Sequence, residues 1–153
     1  MAESVSVTVT MNNYGETLVE IGRGVMVLLY RIALIHLRNC EIQVIGPDIP
    51  NVKFSTAEAA KLRFLELIEI LKQPRTMVQY SERTWISVYD VSKCYIDDRT
   101  YKFFGKTMGK AYATICVCIS DTWSIPYSSY KEAEDGLNTF MQKVRGIKGS
   151  NLL

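Results

Sequence analysis

The chain has 153 residues, of which 48% are hydrophobic and 22% are charged, and its formal net charge is +2. This length and balance fit a single domain over residues 1–153 with a core of its own, and they exclude a wholly disordered chain. The small net charge excludes a protein that coats DNA by overall charge, so a nucleic-acid site has to come from local clustering of basic residues.

The cysteines and the first residues predict the cellular compartment. The four cysteines form no CxxC pair, which argues against a zinc ribbon or a dithiol redox centre; they are Cys40, Cys94, Cys116 and Cys118. The opening MAESVSVT carries an acid where a signal or transit peptide needs basic residues. We therefore expect an intracellular protein with reduced thiols and no metal site.

The first predicted elements are two strands. Residues 1–13 read as an N-terminal extension strand, because Val5, Val7, Val9 and Met11 alternate with serine and threonine. The turn sequence NNYGE follows, and TLVEI (residues 17–21) is predicted as a second strand. That strand ends at the Gly22-Arg23-Gly24 segment. If a helix follows, Arg23 lies at its start, where exposed backbone amides would help it to contact a phosphate.

The longest apolar block, VMVLLYRIALIHL, runs from Val25 to Leu37. Its length, its Leu, Met and Ala content and the lack of internal Gly or Pro predict a helix, although a buried strand fits the same block. At 13 residues it is too short to span a bilayer, which needs about 20. Because it is apolar on nearly every side, we expect a sheet to cover one side and a partner subunit the other, in a homodimer or hetero-oligomer.

Two further helices carry clear start signals. After the strand CEIQVIG, Ser55 and Glu58 form a capping box, and the helix that follows ends at Pro74. We expect Arg63 and the other charged residues of this helix in solvent and an apolar stripe of Ala60, Phe64, Leu67, Ile68 and Leu71. Residues 77–80 and 84–89 read as extended segments. The strand AYATICVCI is followed by WSIPY and a last helix from about Tyr130 to Gly146, with Ser129 as its N-cap; residues 120–146 thus form a C-terminal strand and helix. One face of the strand carries Ala111, Ala113, Ile115, Val117 and Ile119, and the helix has an apolar stripe of Ala133, Leu137, Phe140, Met141 and Val144. Residues 41–71 and 114–144 align without gaps, so duplication is a hypothesis, although any two strand-loop-capped-helix units share much of this pattern.

Catalytic chemistry finds little support. His36 is the only histidine and lies within the apolar block, where a packed role is the common one. The GxG of LVEIGRGV lacks the third glycine of a dinucleotide-binding motif, since Val27 stands there, and no Walker A sequence occurs. We expect a protein that is not an enzyme, with no catalytic residue and no cofactor.

The strongest functional signal is RTYKFFGKTMGKAY, residues 99–112, which we call the arm. Four cations recur every three or four residues among aromatic side chains, and phosphates need cations while unpaired bases need flat rings. The alternative is a solvated hairpin whose rings pack inward. The sequence predicts contacts to RNA or single-stranded DNA from Arg23, Arg99, Tyr101, Lys102, Phe103, Lys106 and Lys110.

Several local sequences resemble the Alba family, which includes protein subunits of RNase P and RNase MRP. EIGRGVMVLLYRIALIHL is similar to the family's glycine, basic residue, Val-Met and long apolar helix, and FSTAEAAKL to its second helix. The resemblance covers residues 17–119 and implies an α+β two-layer fold with the order β-α-β-α-β-β in a mixed sheet, to which the N-terminal strand and C-terminal helix are added. It also implies a dimer that binds RNA or DNA through Arg23 and the arm. The family's G-x-G-x-A-I segment is replaced here by GPDIPNVKF, which argues against duplex binding in particular.

Two other readings remain open. WSIPYSSYKEAEDGL resembles the last strand and helix of the Whirly, PUR and related single-strand binders, and that reading requires residues 25–37 to be strand. The alternative function is a self-associating structural or scaffold protein, such as a viral matrix-like or assembly subunit, which the low net charge and the apolar block favour.

Overall fold

The computed structural model describes residues 8–72, 77–118 and 121–151, and the chain divides into two compact units, Met1–Ser87 and Val88–Leu153. In the first unit the elements are β1 (Val9–Met11), β2 (Thr17–Gly22), β3 (Val25–Leu28), β4 (Leu34–Arg38), β5 (Glu41–Ile45), β6 (Val52–Lys53), α1 (Ala57–Leu71), β7 (Met77–Ser81) and β8 (Thr84–Ser87). They form a three-stranded sheet, β1-β2-β3, and a five-stranded sheet, β6-β5-β4-β8-β7.

The second unit is built on one sheet and one helix. Its elements are β9 (Val91–Asp98), β10 (Tyr101–Phe103), β11 (Lys106–Met108), β12 (Ala111–Val117), β13 (Asp121–Tyr127) and α2 (Tyr130–Asn151). The sheet has the order β13-β12-β9, and β10 and β11 pair as a separate hairpin. The predicted α+β class is confirmed. Every strand pair among the described residues is antiparallel, whereas the sequence predicted a mixed sheet.

The predicted helix over residues 25–37 is wrong. Residues Val25–Leu28 are strand β3, Leu29–Arg31 form a 3-10 turn, and Leu34–Arg38 are strand β4. Leu34 and Ile35 are adjacent and both fully buried, as in a strand covered on its two faces, and such a strand reads as a continuous apolar run. The first helix of the order β-α-β-α-β-β is therefore absent, and so is the helical dimer interface that was built on it. Strand is the conformation that the single-strand-binder reading required.

Helix α1 lies where the sequence placed it, with two differences in detail. Its N-cap is Thr56, whose Oγ1 accepts a hydrogen bond from the Ala59 N–H at 3.1 Å, instead of Ser55. The predicted apolar stripe is buried: Ala60, Phe64, Leu67, Ile68 and Leu71. Arg63 was expected in solvent but is only 8% exposed, because its guanidinium donates to the backbone and carboxylate oxygens of Glu20 in β2, both at 3.3 Å.

Helix α2 starts as predicted, with the Ser129 hydroxyl accepting from the Glu132 N–H at 3.2 Å. Four residues of its predicted stripe are buried and Met141 is half-buried; the four are Ala133, Leu137, Phe140 and Val144. The helix continues to Asn151 and does not end at Gly146, since glycine costs a helix about 1 kcal/mol without forcing it to stop. Ile119, expected on the buried face of β12 with Ala111, lies outside the described residues.

The same succession of elements occurs twice along the chain. The first succession is β2, β3, a 3-10 turn, β4, β5, β6 and α1, and the second is β7, β8, a 3-10 turn, β9, β12, β13 and α2. Strands β3 and β8 are equally long, and each leads directly into its 3-10 turn, Leu29–Arg31 or Val88–Asp90. The same difference in residue number, which we call the offset, therefore relates both the strands and the turns of the two repeats. The helices begin at Ala57 and Tyr130, which is a larger offset. We call the two successions the first and second repeat.

Equivalent positions of the two repeats are further apart in the sequence at the helices than at the 3-10 turns. The difference equals the length of the arm, residues 99–112. The additional residues lie between β9 and β12, whereas the equivalent strands β4 and β5 are joined by Asn39 and Cys40 alone. The buried side chains correspond across the repeats as well, with Ile42 and Val44 in β5 matched by Ile115 and Val117 in β12. The arm is thus the main addition to a repeat that is otherwise built alike.

Candidate nucleic-acid interface

The arm is a regular two-stranded hairpin that prolongs β9 and β12. A backbone hydrogen bond from Arg99 N to Lys110 O, at 3.0 Å, connects it to the sheet, and β10 then pairs with β11 from Tyr101–Met108 to Phe103–Lys106. The two loop residues, Phe104 and Gly105, have φ of 48° and 77°, as a type I′ turn requires. This turn matches the right-handed twist of its strands, and Gly105 suits the second of its two central positions.

Gly109 makes the join between hairpin and sheet. Its φ is 79°, and a Cβ at this position would lie 2.5 Å from the carbonyl oxygen of Arg99. Only glycine combines this backbone conformation with so close an approach. Any other residue here would push the two strands apart at the base of the arm, so Gly109 sets the direction in which the arm leaves the sheet.

The hairpin register sorts the arm residues onto two faces. Side chains of directly opposed residues share a face and alternate along the strand. One face therefore carries Tyr101, Phe103, Lys106 and Met108, and the other carries Lys102 and Thr107. All residues from 101 to 110 are exposed. The first face combines two rings, a cation and a thioether, which is the composition expected of a stacking surface.

The three aromatic side chains of the β10–β11 hairpin do not pack inward, whereas Tyr112, in β12, is half-buried. Tyr101 and Phe103 are each 57% exposed and Phe104, at the tip, is 90% exposed. The Phe103 and Phe104 rings meet edge to face, with centroids 4.5 Å apart. This contact orients the two rings but leaves their outer surfaces in water, which contradicts the alternative of a hairpin with buried rings.

The four cations of the arm differ in how they are engaged. Lys102 donates from Nζ to the Thr107 hydroxyl across the hairpin at 2.6 Å. Arg99 donates from Nε to Asp97 Oδ2 at 2.9 Å, and its guanidinium lies 5.8 Å from the centre of the Tyr112 ring. Among the residues that the structure describes, Lys106 and Lys110 form no ion pair. Arg99 is thus partly neutralised at the base of the arm, and the more distal cations remain available.

The acidic pair at the base of the arm is held in place by local bonds. Asp98 accepts from both the backbone N–H and the hydroxyl of Thr100, at 3.0 and 2.6 Å, and these two bonds lower the pKa of its carboxyl. Asp97 is engaged by Arg99. Since residues 99–112 contain no acid, the hairpin beyond this pair has a positive potential.

Arg23 lies elsewhere in the chain, in the first unit, whereas the other six predicted contact residues lie together in the arm. It was expected at the start of a helix, with free backbone amides beside it. The structure instead places it, exposed, in the turn between β2 and β3, followed by Gly24 at a φ of 77°. A strand turn has no helix dipole, so the predicted support for phosphate binding at Arg23 is absent.

One residue at the tip was missed. Phe104 belongs to the aromatic stretch but was not among the predicted contacts, and it is the most exposed ring of the arm. The signal that could have found it is Gly105 midway between the segments YKF and KTM, since a glycine there favours a two-residue hairpin turn and places the residue before it at the extremity.

The histidine and two of the cysteines have pKa values shifted away from the charged, reactive forms. His36, in β4, lies with Nδ1 2.8 Å from the Thr84 hydroxyl, and its pKa is lowered by burial, by Arg83 and by Arg38. Burial also raises the pKa of the Cys94 and Cys118 thiols, which disfavours the reactive thiolate. Within residues 8–72, 77–118 and 121–151, no three His, Cys, Asp or Glu side chains cluster as metal ligands would.

None of the helices in the described part of the chain is long and apolar enough to cross a membrane.

Comparisons with known proteins identify no family for this chain. No family model matches the sequence, and no curated protein matches it. Among solved structures, the chain is similar to a LytTr DNA-binding domain of a methyl-accepting/DNA response regulator from Bacillus cereus, with a TM-score of 0.41 and 12% sequence identity. The match covers 95% of this chain and 98% of that domain.

Proposed function

We propose that this chain binds single-stranded nucleic acid, RNA or DNA, through the arm, and that it does so without catalysing a reaction. The observation that carries the proposal is the tip of the arm, where an exposed phenylalanine occupies a left-handed backbone conformation. Beside it lie cations that form no ion pair within the described part of the chain. Exposed rings and available cations are the two components from which proteins build single-strand sites.

The arm is costly to the free protein, which supports a role in binding. A residue with a Cβ in the left-handed region costs about 1–2 kcal/mol, and a two-stranded hairpin on its own is marginally stable in water. The rings of Tyr101, Phe103 and Phe104 bury little surface in return. Stacking on a base would supply about 1–3 kcal/mol per ring, enough to offset the conformational cost.

The composition of the arm favours a single strand over a duplex. Flat rings need bases whose faces are unstacked, and a duplex does not offer them. With Lys102, Lys106 and Lys110 as phosphate contacts, the logarithm of the affinity would fall with the logarithm of the salt concentration with a slope of about −2, or about 0.7 for each phosphate.

The test is a charge reversal with a matched control. In the triple variant Lys102→Glu, Lys106→Glu and Lys110→Glu, we expect affinity for fluorescein-labelled U20 and dT20 to fall by more than about tenfold in an anisotropy titration, together with loss of the salt dependence. The control changes the net charge equally at Lys53, Lys61 and Lys72, which are exposed in the first unit, and is expected to bind like the wild type.

Three outcomes would contradict the proposal. Unchanged affinity in the arm variant would exclude the arm, and an equal loss in the control would reduce the effect to net charge. Tighter binding to duplex than to either oligonucleotide would exclude single-strand recognition. U20 and dT20 are compared because the 2′-hydroxyl separates RNA from DNA.

A further inference from the structure

Strand β9 presents a long unprotected edge. It has eight residues, and in the order β13-β12-β9 it lies at the end of its sheet, with no strand paired to its other side among the described residues. It contains no proline or glycine. Two other end strands are protected: β6 is two residues long, and β13 carries Pro126, which is tolerated at an edge and weakens further pairing.

The backbone groups on this edge are in phase for another strand. The bond from Arg99 N to Lys110 O makes these two residues a hydrogen-bonded pair. In an antiparallel sheet every second pair is of this kind, so Tyr95–Thr114 is a hydrogen-bonded pair as well. The N–H and C=O groups of Cys94 and Ile96 consequently point away from β12. They are the groups that an added strand would bond.

The first repeat shows what occupies the equivalent edge. Strand β4, equivalent to β9, is paired on that side with β8, in the register Leu34–Ile86, Ile35–Trp85 and His36–Thr84. Backbone bonds from Leu37 N to Arg83 O at 2.8 Å and from Ser87 N to Ala33 O at 2.7 Å place Ile35 and Leu37 in the hydrogen-bonding phase. The offset that aligns β3 with β8 also aligns these two residues with Cys94 and Ile96, so both strands present the same phase.

The matching strand exists in the chain, and its own edge is open. The equivalent of β8 is β3, which lies at the end of the sheet β1-β2-β3 and, in the part of the chain that is described, pairs only with β2. Among the described residues, β4 is therefore paired with β8, but their equivalents β9 and β3 are not paired with each other. Each of these two strands keeps an unpaired edge.

We propose that these two edges pair between copies of the chain, with β9 of one molecule bonded antiparallel to β3 of the next. The register carried over from β4 and β8 places Lys93 opposite Val27, Cys94 opposite Met26 and Tyr95 opposite Val25. Different surfaces of the two copies meet, and such a head-to-tail contact adds subunits into a ring or a filament.

This self-association is independent of nucleic-acid binding, since the arm leaves from the Asp98 end of β9 and takes no part in the pairing. It also replaces the helical dimer that the sequence predicted, and it gives the same apolar segment, in β3, a different role. Val25, Met26 and Val27 contribute as strand residues.

The first test blocks each edge separately. Ile96→Pro removes an outward N–H of β9, and Met26→Pro removes the backbone N–H of β3 that the proposed register uses. Ile96 takes no part in the bonds that Tyr95 makes to β12. In sedimentation velocity we expect the wild type to form species heavier than the 17.4 kDa monomer as concentration rises, and each variant alone to stay monomeric. A mixture of the two variants retains one intact edge of each kind and is expected to form a heterodimer and nothing larger.

A monomeric wild type at every concentration would overturn the proposal. So would a mixture of variants that stays monomeric although the wild type associates, because only head-to-tail pairing predicts the complementation. Circular dichroism establishes that each proline variant is folded before it is used.

The second test fixes the register without proline. In Met26→Cys, the new thiol faces Cys94 of the next copy across a hydrogen-bonded pair, whose Cα atoms lie about 5.5 Å apart, within the range a disulfide spans. Mild oxidation is expected to produce linked dimers and a ladder of larger species on non-reducing gels. Val25→Cys places its thiol on the opposite face and is expected to give no Cys94-dependent ladder, and adding Cys94→Ser to Met26→Cys is expected to abolish it. Equal cross-linking in all three variants would refute the register.

Discussion

The two connections between equivalent strands are the clearest contrast in the molecule. In the first repeat β4 passes into β5 through Asn39 and Cys40, with Asn39 at a φ of 51°. In the second repeat β9 passes into β12 through residues 99–110, which are all of the arm except its last two residues. A two-residue turn is enough to join such strands, so the arm adds nothing that the repeat needs in order to fold. Its exposed rings and cations are the features on which the proposed binding depends.

The largest expected effect follows from removing the arm. Replacing residues 99–110 with Asn-Gly gives β9 and β12 the short turn that the first repeat shows is sufficient, and Asn-Gly suits a two-residue hairpin. We expect oligonucleotide binding to disappear in an anisotropy titration, while the midpoint of thermal unfolding by circular dichroism stays close to that of the wild type. An unfolded product would show that the arm is structural after all.

The reciprocal graft sharpens the same comparison. Residues 99–110 inserted in place of Asn39 and Cys40 in the arm-deleted variant would restore binding if the arm acts alone, because it would again project from paired strands. A graft of the same length in which the four cations and three rings are replaced by serine is the control. Failure of the true graft, in a folded protein, would mean that neighbouring residues of the second unit contribute contacts.

The second comparison concerns the cores of the two units. Phe64 in α1 and Phe140 in α2 are each about 1% exposed, and truncating either to alanine is expected to cost about 3–5 kcal/mol in unfolding free energy. Each unit contains one tryptophan, Trp85 in the first and Trp123 in the second.

Urea titrations on Trp85→Phe and Trp123→Phe backgrounds therefore report one unit at a time. We expect Phe64→Ala to shift mainly the transition seen by Trp85, and Phe140→Ala mainly the one seen by Trp123. Identical shifts at both tryptophans would instead indicate that the two units unfold as one.

A smaller effect is expected at the tip of the arm. Phe104→Asn gives the turn the Asn-Gly sequence that a type I′ turn prefers and removes the cost of a phenylalanine in the left-handed region, about 1 kcal/mol. Loss of one stacking ring would weaken binding by about 1–3 kcal/mol. Stability and affinity therefore change in opposite directions, and thermal unfolding with anisotropy on the same samples measures both. Unchanged affinity would exclude Phe104 as a contact.

The smallest effect compares the two helix caps. Thr56→Ala and Ser129→Ala each remove a hydroxyl that accepts from a backbone N–H of the first turn, at 3.1 and 3.2 Å, and each is expected to cost about 1 kcal/mol. Thr56→Ser and Ser129→Thr, which keep the hydroxyl, serve as controls in urea titrations. A cost beyond the upper end of measured capping energies, about 2 kcal/mol, would mean that the side chain does more than cap its helix.

Much of this architecture follows from local signals in the sequence. The caps at Thr56 and Ser129, the buried stripes of both helices and the alternation in β12 depend on residues within one or two turns of each other, so the sequence predicts them to within a residue or two. The arm is local for the same reason, because Phe104 and Gly105 specify its turn and pairing then extends along the hairpin. Six of the seven predicted contact residues accordingly lie together.

Non-local contacts decided the rest. An apolar run that is buried on both faces has the same composition whether it forms a helix or strands, and only the pairing of β4 with β5 and β8 made residues 34–38 a strand. The burial of Arg63 depends in the same way on Glu20, which lies 43 positions earlier. The sequence alone predicted the capped helices and the cationic, aromatic arm. Backbone N–H and C=O groups are alike at almost every residue, so only the tertiary structure determined which strand edges are paired and that those of β9 and β3 are open.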